Sequence, residues 1–122
     1  VRAHGDPDPV ALAGAAAWLL QLGAYEEAEA AVRRGLGGRE DPALHHLLAM
    51  TLSRQDRESE GLAHYRRAAE AAPDNASWRF DLLASLCALG RAEELAEGVA
   101  RGRKDFPEDP RFEALAQRCV AP

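Results

Sequence analysis

The residues that could perform chemistry are few, and their spacing does not fit the common catalytic or metal sites. His45 and His46 are adjacent, so on a helix they point about 100° apart, whereas a metal-binding pair needs a spacing of three or four residues. No serine lies in the Gly-x-Ser-x-Gly turn of a nucleophilic hydrolase. The glycine cluster at 35–38 lacks the Lys-Ser/Thr pair of a phosphate-binding loop. We therefore predict a protein that is not an enzyme and holds no metal or cofactor.

Two acidic pairs and two cysteines have structural explanations. Glu26-Glu27 and Glu93-Glu94 open predicted helices, where negative charge is favourable beside the positive end of the helix dipole. Cys87 and Cys119 lie in apolar helical segments, and two cysteines do not make the dense disulfide framework of a small secreted domain. We therefore expect a reducing, cytoplasmic location.

The composition is that of one globular, helical domain. Of the 122 residues, 47% are hydrophobic, 29% charged and only 6% aromatic, which predicts an all-α fold. The net charge is −5 and the basic residues, nearly all arginine, are interspersed with acidic ones, so nucleic acid is not an expected partner. The longest apolar run, Val10 to Leu22, is too short to cross a bilayer. Residues 1–8 are expected to be a linker to a longer chain, and the Arg- and Ala-rich usage suggests a bacterial source.

A fixed period of 34 residues organises the chain. Residues of similar type recur at this spacing in four pairs: Leu48 and Leu82, Leu52 and Leu86, Ala68 and Gly102, and Pro73 and Pro107. The first repeat is one residue shorter, since Gly23 and Ala28 precede Asp56 and Gly61 by 33 positions. Such a period indicates stacked supersecondary units. We predict one domain over 9–122, made of three repeats and a capping helix, with these approximate bounds: 9–41, 42–75, 76–109 and 110–120.

Each repeat is predicted to be a hairpin of two helices, because apolar residues follow helical spacing in both halves. The first helices and the capping helix are expected to begin where Asp or Asn, which caps free backbone amides, precedes a residue favoured at the first helical position. These pairs are Asp8-Pro9, Asp41-Pro42, Asn75-Ala76 and Asp109-Pro110. The first helices are expected to end at residues that tolerate the left-handed conformation: Gly23, Gln55-Asp56 and Gly90. Small residues such as Ala49 and Gly61 would let the paired helices approach closely.

This pattern resembles the tetratricopeptide repeat family. The residues that carry the match are Leu48-Ala49, Leu52, Gly61, Tyr65, Ala68 and Pro73 in the second repeat, and Gly23 to Ala28 in the first. The resemblance implies a right-handed superhelical array of antiparallel helix hairpins, an α-solenoid. Leu95 stands where the family has a small residue and Arg103 where it has an apolar one, so we expect the last second helix to pack less tightly or at a shifted angle. Pentatricopeptide arrays, which read RNA, are disfavoured by the acidic charge and the 34-residue spacing.

Members of this family bind peptides or partner helices in a concave groove lined by the first helix of each repeat. Carried onto this sequence, the resemblance implies these groove residues: Ala13, Ala17, Leu20 and Gln21; His46, Met50, Ser53 and Arg54; and Ser77, Phe80, Asp81, Ala84 and Cys87. His46, Met50 and Phe80 would form the apolar centre, with Arg54 and Asp81 at the rim. Lys and Asn, which one branch of the family uses to hold a chaperone's C-terminal carboxylate, are replaced by alanines here, so that ligand is not expected.

Four further side chains are assigned by the same geometry. Trp18 and Trp78 are expected in the core, because large aromatic side chains on first helices are usually buried. His45 is expected between hairpins, and His64 is expected to be exposed on a second helix.

The sequence thus predicts a module that binds another protein, as a helix or peptide, without direct membrane insertion. Three alternatives stay open. The repeats could form a structural spacer or a homo-oligomer through an uncovered end, where the Ala-rich helix containing Trp18 is the place to look. They could also be an accessory domain of a larger enzyme, or a small secretion chaperone.

Overall fold

A computed structural model describes residues 8–120, which form seven α-helices and no strand. The helices are α1 (Pro9–Gln21), α2 (Tyr25–Leu36), α3 (Pro42–Ser53), α4 (Glu58–Ala71), α5 (Ala76–Ala88), α6 (Ala92–Asp105) and α7 (Pro110–Cys119). The all-α prediction is confirmed. The predicted linker lies outside the described residues except for Asp8.

The predicted helix starts are confirmed by side-chain caps. A side-chain oxygen accepts a hydrogen bond from a backbone N–H of the first turn at each of four positions: Asp8 from Val10 (3.1 Å), Asp41 from Ala43 (3.1 Å), Asn75 from Trp78 (3.0 Å) and Asp109 from Arg111 (3.0 Å). These bonds satisfy amides that have no partner inside the helix. Local chemistry therefore sets where α1, α3, α5 and α7 begin.

The predicted helix ends are also confirmed. Gly23, Asp56 and Gly90 follow α1, α3 and α5 with φ angles of 79°, 60° and 72°. Asp56 is the one residue other than glycine with a positive φ in the described part of the chain, and a short polar side chain tolerates that conformation better than most.

The chain divides into two compact units, with the boundary between Ala68 and Ala69 inside α4. The first, which we call unit 1, contains α1, α2, α3 and most of α4. Its hydrophobic core consists of Ala16, Val32, Leu36, Leu44, Leu48 and Leu52. A Cβ added to Gly61 of α4 would lie 3.0 Å from the carbonyl oxygen of Ala49 in α3, so the close approach predicted for these two small residues is confirmed.

The second, unit 2, contains the end of α4 and all of α5, α6 and α7. Its buried hydrophobic side chains are Ala69, Leu83, Leu86, Leu95, Val99, Phe112 and Leu115. Helix α7 packs on α5 and α6, with Phe112 and Leu115 fully buried. The prediction that the last helix covers the third hairpin is therefore confirmed within unit 2.

Helices α5 and α6 approach each other at a different residue from the one that the repeat pattern marks. Leu95, at the position of the family's small residue, is 2% exposed. The close contact lies three residues later, where a Cβ added to Gly98 would come within 2.3 Å of Leu83 Cδ2. A large side chain on α5 thus fits against a glycine on α6, which compensates for the missing small residue at 95.

Candidate functional site

The predicted groove residues of unit 1 lie on α1 and α3. Their exposure varies: Gln21 and Arg54 are exposed, Ala13, Ala17, His46, Met50 and Ser53 are half-buried, and Leu20 is buried. Ala13 packs against the core of unit 1, the Ser53 hydroxyl donates a hydrogen bond to Glu58, and the His46 ring meets Tyr65 edge-on with centroids 5.7 Å apart. Leu20 is therefore a core residue rather than a groove residue.

The predicted groove residues of unit 2 lie on α5 and are partly covered by α7. Phe80 is half-buried, with its ring edge-on to Phe112 at 6.3 Å and the Arg111 guanidinium 5.3 Å from its centre. Arg111 also donates a hydrogen bond to the Ser77 hydroxyl at 3.1 Å. Asp81 and Ala84 are half-buried. Phe80 is thus partly covered by contacts within unit 2, and its role as an anchor stays a prediction.

Cys87, another predicted groove residue, forms a disulfide with Cys119 at the end of α7. The two Cα atoms lie 5.9 Å apart and the residues are 32 positions apart in sequence. The interpretation of these cysteines as residues of a reduced protein is wrong for this structure. The bond closes the α5–α7 side of unit 2, which depends on a tertiary contact that spacing alone does not reveal.

Two histidines of unit 1 form a stacked pair between α3 and α4. His45 is 4% exposed, and its ring lies 5.1 Å from that of His64, centroid to centroid. Their Nδ1 atoms are 2.9 Å apart, and the Glu40 carboxylate lies 3.1 Å from His45 Nε2. In the tautomer that donates from His45 Nε2 to the Glu40 carboxylate, His45 Nδ1 accepts from the Nδ1–H of His64. The prediction of an exposed His64 is wrong, because His64 is half-buried. Burial is the main cause that lowers the pKa of His64 below its ordinary value of 6.5, and the charge interaction with His45 is the second cause.

The His45–His64 pair and Glu40 are not arranged as the ligands of a metal ion. The Glu40 carboxylate contacts the ring nitrogen of His45 opposite to the one that faces His64, so the three groups do not converge on one point. Across residues 8–120, no group of three or more His, Cys, Asp or Glu side chains is arranged to hold a metal ion. The pair is a packing element in which a hydrogen bond joins two stacked rings.

An exposed apolar stripe runs along α1 in unit 1. Its members follow helical spacing on one face: Ala11, Ala15, Trp18 and Leu22. Trp18 is 63% and Leu22 64% exposed, and Val10 beside them is 81% exposed. No charged residue occurs from Pro9 to Ala24. The prediction that Trp18 is a core residue is wrong, because most of its side chain is exposed. Trp78, which was also predicted in the core, is half-buried.

An open groove of about 860 Å³ lies between α4, α5 and α6 in unit 2. Its floor is apolar, because Leu82, Leu83 and Leu86 of α5 line it together with Ala69 and Gly98. At Gly98 of α6 the Leu83 side chain of α5 packs directly against the backbone. None of the predicted groove residues lines this surface.

The rim of the groove on α6 carries charges of opposite sign at its two ends. Glu94, Glu97, Arg101 and Lys104 follow one another at spacings of three and four residues, which places them on one face of the helix. The acidic pair lies toward the start of α6 and the basic pair toward its end. This segregation was visible in the sequence, but only the structure shows that the four side chains border an apolar floor.

Three other charged groups border the groove. Asp105 accepts a hydrogen bond from Arg79 at 2.7 Å, and this bond lowers the pKa of Asp105. The two charges offset each other, so Arg101 and Lys104 leave that end of the groove net positive. Glu70, on α4, adds one carboxylate to the opposite rim.

Comparison with known proteins gives no identification: no family model matches the chain, and no curated protein matches it. The resemblance to tetratricopeptide repeats therefore stays a prediction. Among the helices described between residues 8 and 120, none has both the length and the apolar character needed to cross a membrane.

Proposed function

We propose that this chain is a protein-interaction module of the tetratricopeptide type, and that it binds a helix or peptide of a partner protein. The observation that carries the proposal is the groove of unit 2. A concave, apolar floor with charged side chains around it is the kind of surface into which an amphipathic helix packs. From residue 94 to residue 105, α6 extends about 16 Å, which matches roughly three turns of a bound helix.

The test is capture of a partner by wild-type protein and by a variant with a charge on the groove floor. Leu82 is half-buried, so Leu82→Glu should leave unit 2 folded and abolish capture. Leu22→Glu on the exposed stripe of α1 makes the same chemical change away from the groove and should capture as well as wild type. Matching helicity of all three proteins by circular dichroism is the control for folding. Capture that survives Leu82→Glu would place the binding surface elsewhere.

Self-association through α1 is a second candidate function, favoured by the exposed stripe. Trp18, Leu22 and Val10 are exposed large apolar side chains on a helix without charges, and exposed apolar patches commonly mark interfaces. Sedimentation equilibrium distinguishes this candidate, since the mass of the wild-type protein would rise with concentration and that of Trp18→Glu would not.

Other predictions from the sequence stay proposals of lower rank. The concave surface of the first helices, the roles of spacer, accessory domain or secretion chaperone, and the bacterial source rest on the sequence pattern alone. The cytoplasmic location is opposed by one observation, the Cys87–Cys119 disulfide, because such bonds persist mainly in oxidising compartments.

A further inference from the structure

We propose that the groove of unit 2 selects a partner helix whose charges are segregated: acidic residues in its first turn and basic residues in its last. This inference rests on the proposed function and names the chemistry of the partner. The acidic turn would lie beside Arg101 and Lys104 and the basic turn beside Glu94 and Glu97. Apolar residues three or four apart would fill the groove above the half-buried Leu82. The partner helix would then run antiparallel to α6.

The direction follows from the dipole of the bound helix. Acidic residues near the N-terminus of a helix and basic residues near its C-terminus are stabilising in themselves. A partner with this arrangement is stabilised as a helix by its own charges. It matches the charges of the groove only when its N-terminus lies at the Arg101 and Lys104 end. Long-range attraction between opposite charges would also align the partner before contact.

A second copy of this chain is the main competing occupant. The charges of α6 are symmetric about Val99, so that two α6 helices placed antiparallel would bring Glu97 opposite Arg101 and Glu94 opposite Lys104. However, between these charges α6 presents only Gly98 and Ala100 to the groove, so a second copy would bring no large side chain into it. Most of the groove's volume of about 860 Å³ would stay unfilled in such a dimer. A partner with large apolar residues between its charged ends satisfies both the rim and the floor.

The charge pattern can be tested with synthetic helices of equal composition. Two hydrocarbon-stapled peptides of about 14 residues would share their leucines and their numbers of Glu and Lys. One has Glu in the first turn and Lys in the last, and the other interleaves one Glu and one Lys at each end. The staple keeps their helicity equal. We expect wild-type protein to bind the segregated peptide about tenfold more tightly by fluorescence anisotropy, and the preference to shrink at high salt.

Two protein variants with unchanged net charge make the test specific. Glu97→Lys with Arg101→Glu turns the segregated rim into an alternating one and should remove the preference. Arg91→Glu with Glu93→Lys exchanges two exposed charges that do not line the groove and should keep it. A nitroxide on the peptide N-terminus should broaden the amide signal of Lys104 more than that of Glu94.

The remaining outcomes overturn the inference in distinguishable ways. Equal binding of the two peptides, or a preference unaffected by Glu97→Lys with Arg101→Glu, would show a groove that accepts helices without reading their charges. A wild-type dimer that is lost in Arg101→Glu with Lys104→Glu would identify the occupant as a second copy. If neither peptide binds although Leu82→Glu abolishes capture of a partner, the proposed function stands and the segregated helix is wrong. If Leu82→Glu also has no effect on capture, both fail.

Discussion

The ring of Phe112 in α7 lies directly against the backbone of Gly102 in α6, so that a Cβ added to Gly102 would come within 2.4 Å of Phe112 Cδ1. The ring has little freedom to move away. It is fully buried, stacked on Phe106 with planes 11° apart and meets Phe80 edge-on. Gly102 therefore sets how closely the last helix packs in unit 2.

The first prediction concerns this contact. Gly102→Ala should lower the free energy of unfolding of unit 2 by about 1 to 3 kcal/mol, because a methyl group is forced into a packed ring. Urea denaturation followed by the fluorescence of Trp78, in a Trp18→Phe background, reports unit 2 alone. Gly14→Ala is the matched control: nothing lies within 4 Å of a Cβ at that position, so the same substitution should stabilise unit 1 by about 0.5 to 1 kcal/mol. Equal effects of the two changes would contradict the Gly102–Phe112 contact.

The second prediction concerns the Cys87–Cys119 disulfide. The bond joins residues 32 positions apart, and a loop of that size restricts the unfolded chain by about 3 to 4 kcal/mol in the chain-entropy treatment. Cys119→Ser should lower the free energy of unfolding of unit 2 by about this amount. Dithiothreitol should lower the stability of the wild-type protein to that of the Cys87→Ser, Cys119→Ser double variant. A wild-type denaturation midpoint that does not respond to dithiothreitol would show that the bond is not formed.

The third prediction is a loss of stability in mild acid that depends on His64. Burial and the neighbouring His45 lower the pKa of His64 in the folded protein, so the unfolded chain takes up the proton more readily. Stability is therefore fully present above pH 6.5, the ordinary value for this group, and declines as the pH falls below it. In thermal melts between about pH 7.5 and 5.5, the melting temperature of wild type should fall as the pH falls. The melting temperature of His64→Gln should fall less. The lowered carboxylate pKa values, such as that of Glu113, act below this window. His46→Gln is the control and should keep the wild-type decline.

Local features of the fold were predictable because they depend on neighbouring residues. A capping Asp or Asn followed by a good first residue fixed the starts of α1, α3, α5 and α7, and the turn residues Gly23, Asp56 and Gly90 fixed three ends. The close contact of Ala49 with Gly61 followed from the repeat, since two small residues at matching positions imply close helices.

Features that depend on which faces pack together were not predictable. The exposure of Trp18 is one such feature, because α1 is apolar on every side and periodicity cannot then separate its buried face from its exposed one. The Cys87–Cys119 pair requires α7 to return to the end of α5. The contact of Leu83 with Gly98 departs from the repeat by three residues, so alignment to the period pointed to Leu95 instead.

The candidate site was only partly accessible from the sequence. The segregated charges of α6 could be read from Glu94, Glu97, Arg101 and Lys104 at helical spacing, but such a run is usually a solvated face. Its significance comes from the leucine floor beside it, which belongs to another helix. The resemblance to tetratricopeptide repeats directed attention to the first helices, whereas the groove of unit 2 also involves α4 and α6.

Site-specific photocrosslinking tests the central claim most directly. Benzoylphenylalanine would replace Leu82 on the floor of the groove in one protein and Leu22 on the exposed stripe of α1 in another, and each would be irradiated with the captured partner. The proposed function predicts a covalent adduct with the partner from position 82, lost on addition of the segregated peptide, and none from position 22. An adduct from position 22 alone, or adducts only between copies of this chain, would contradict it.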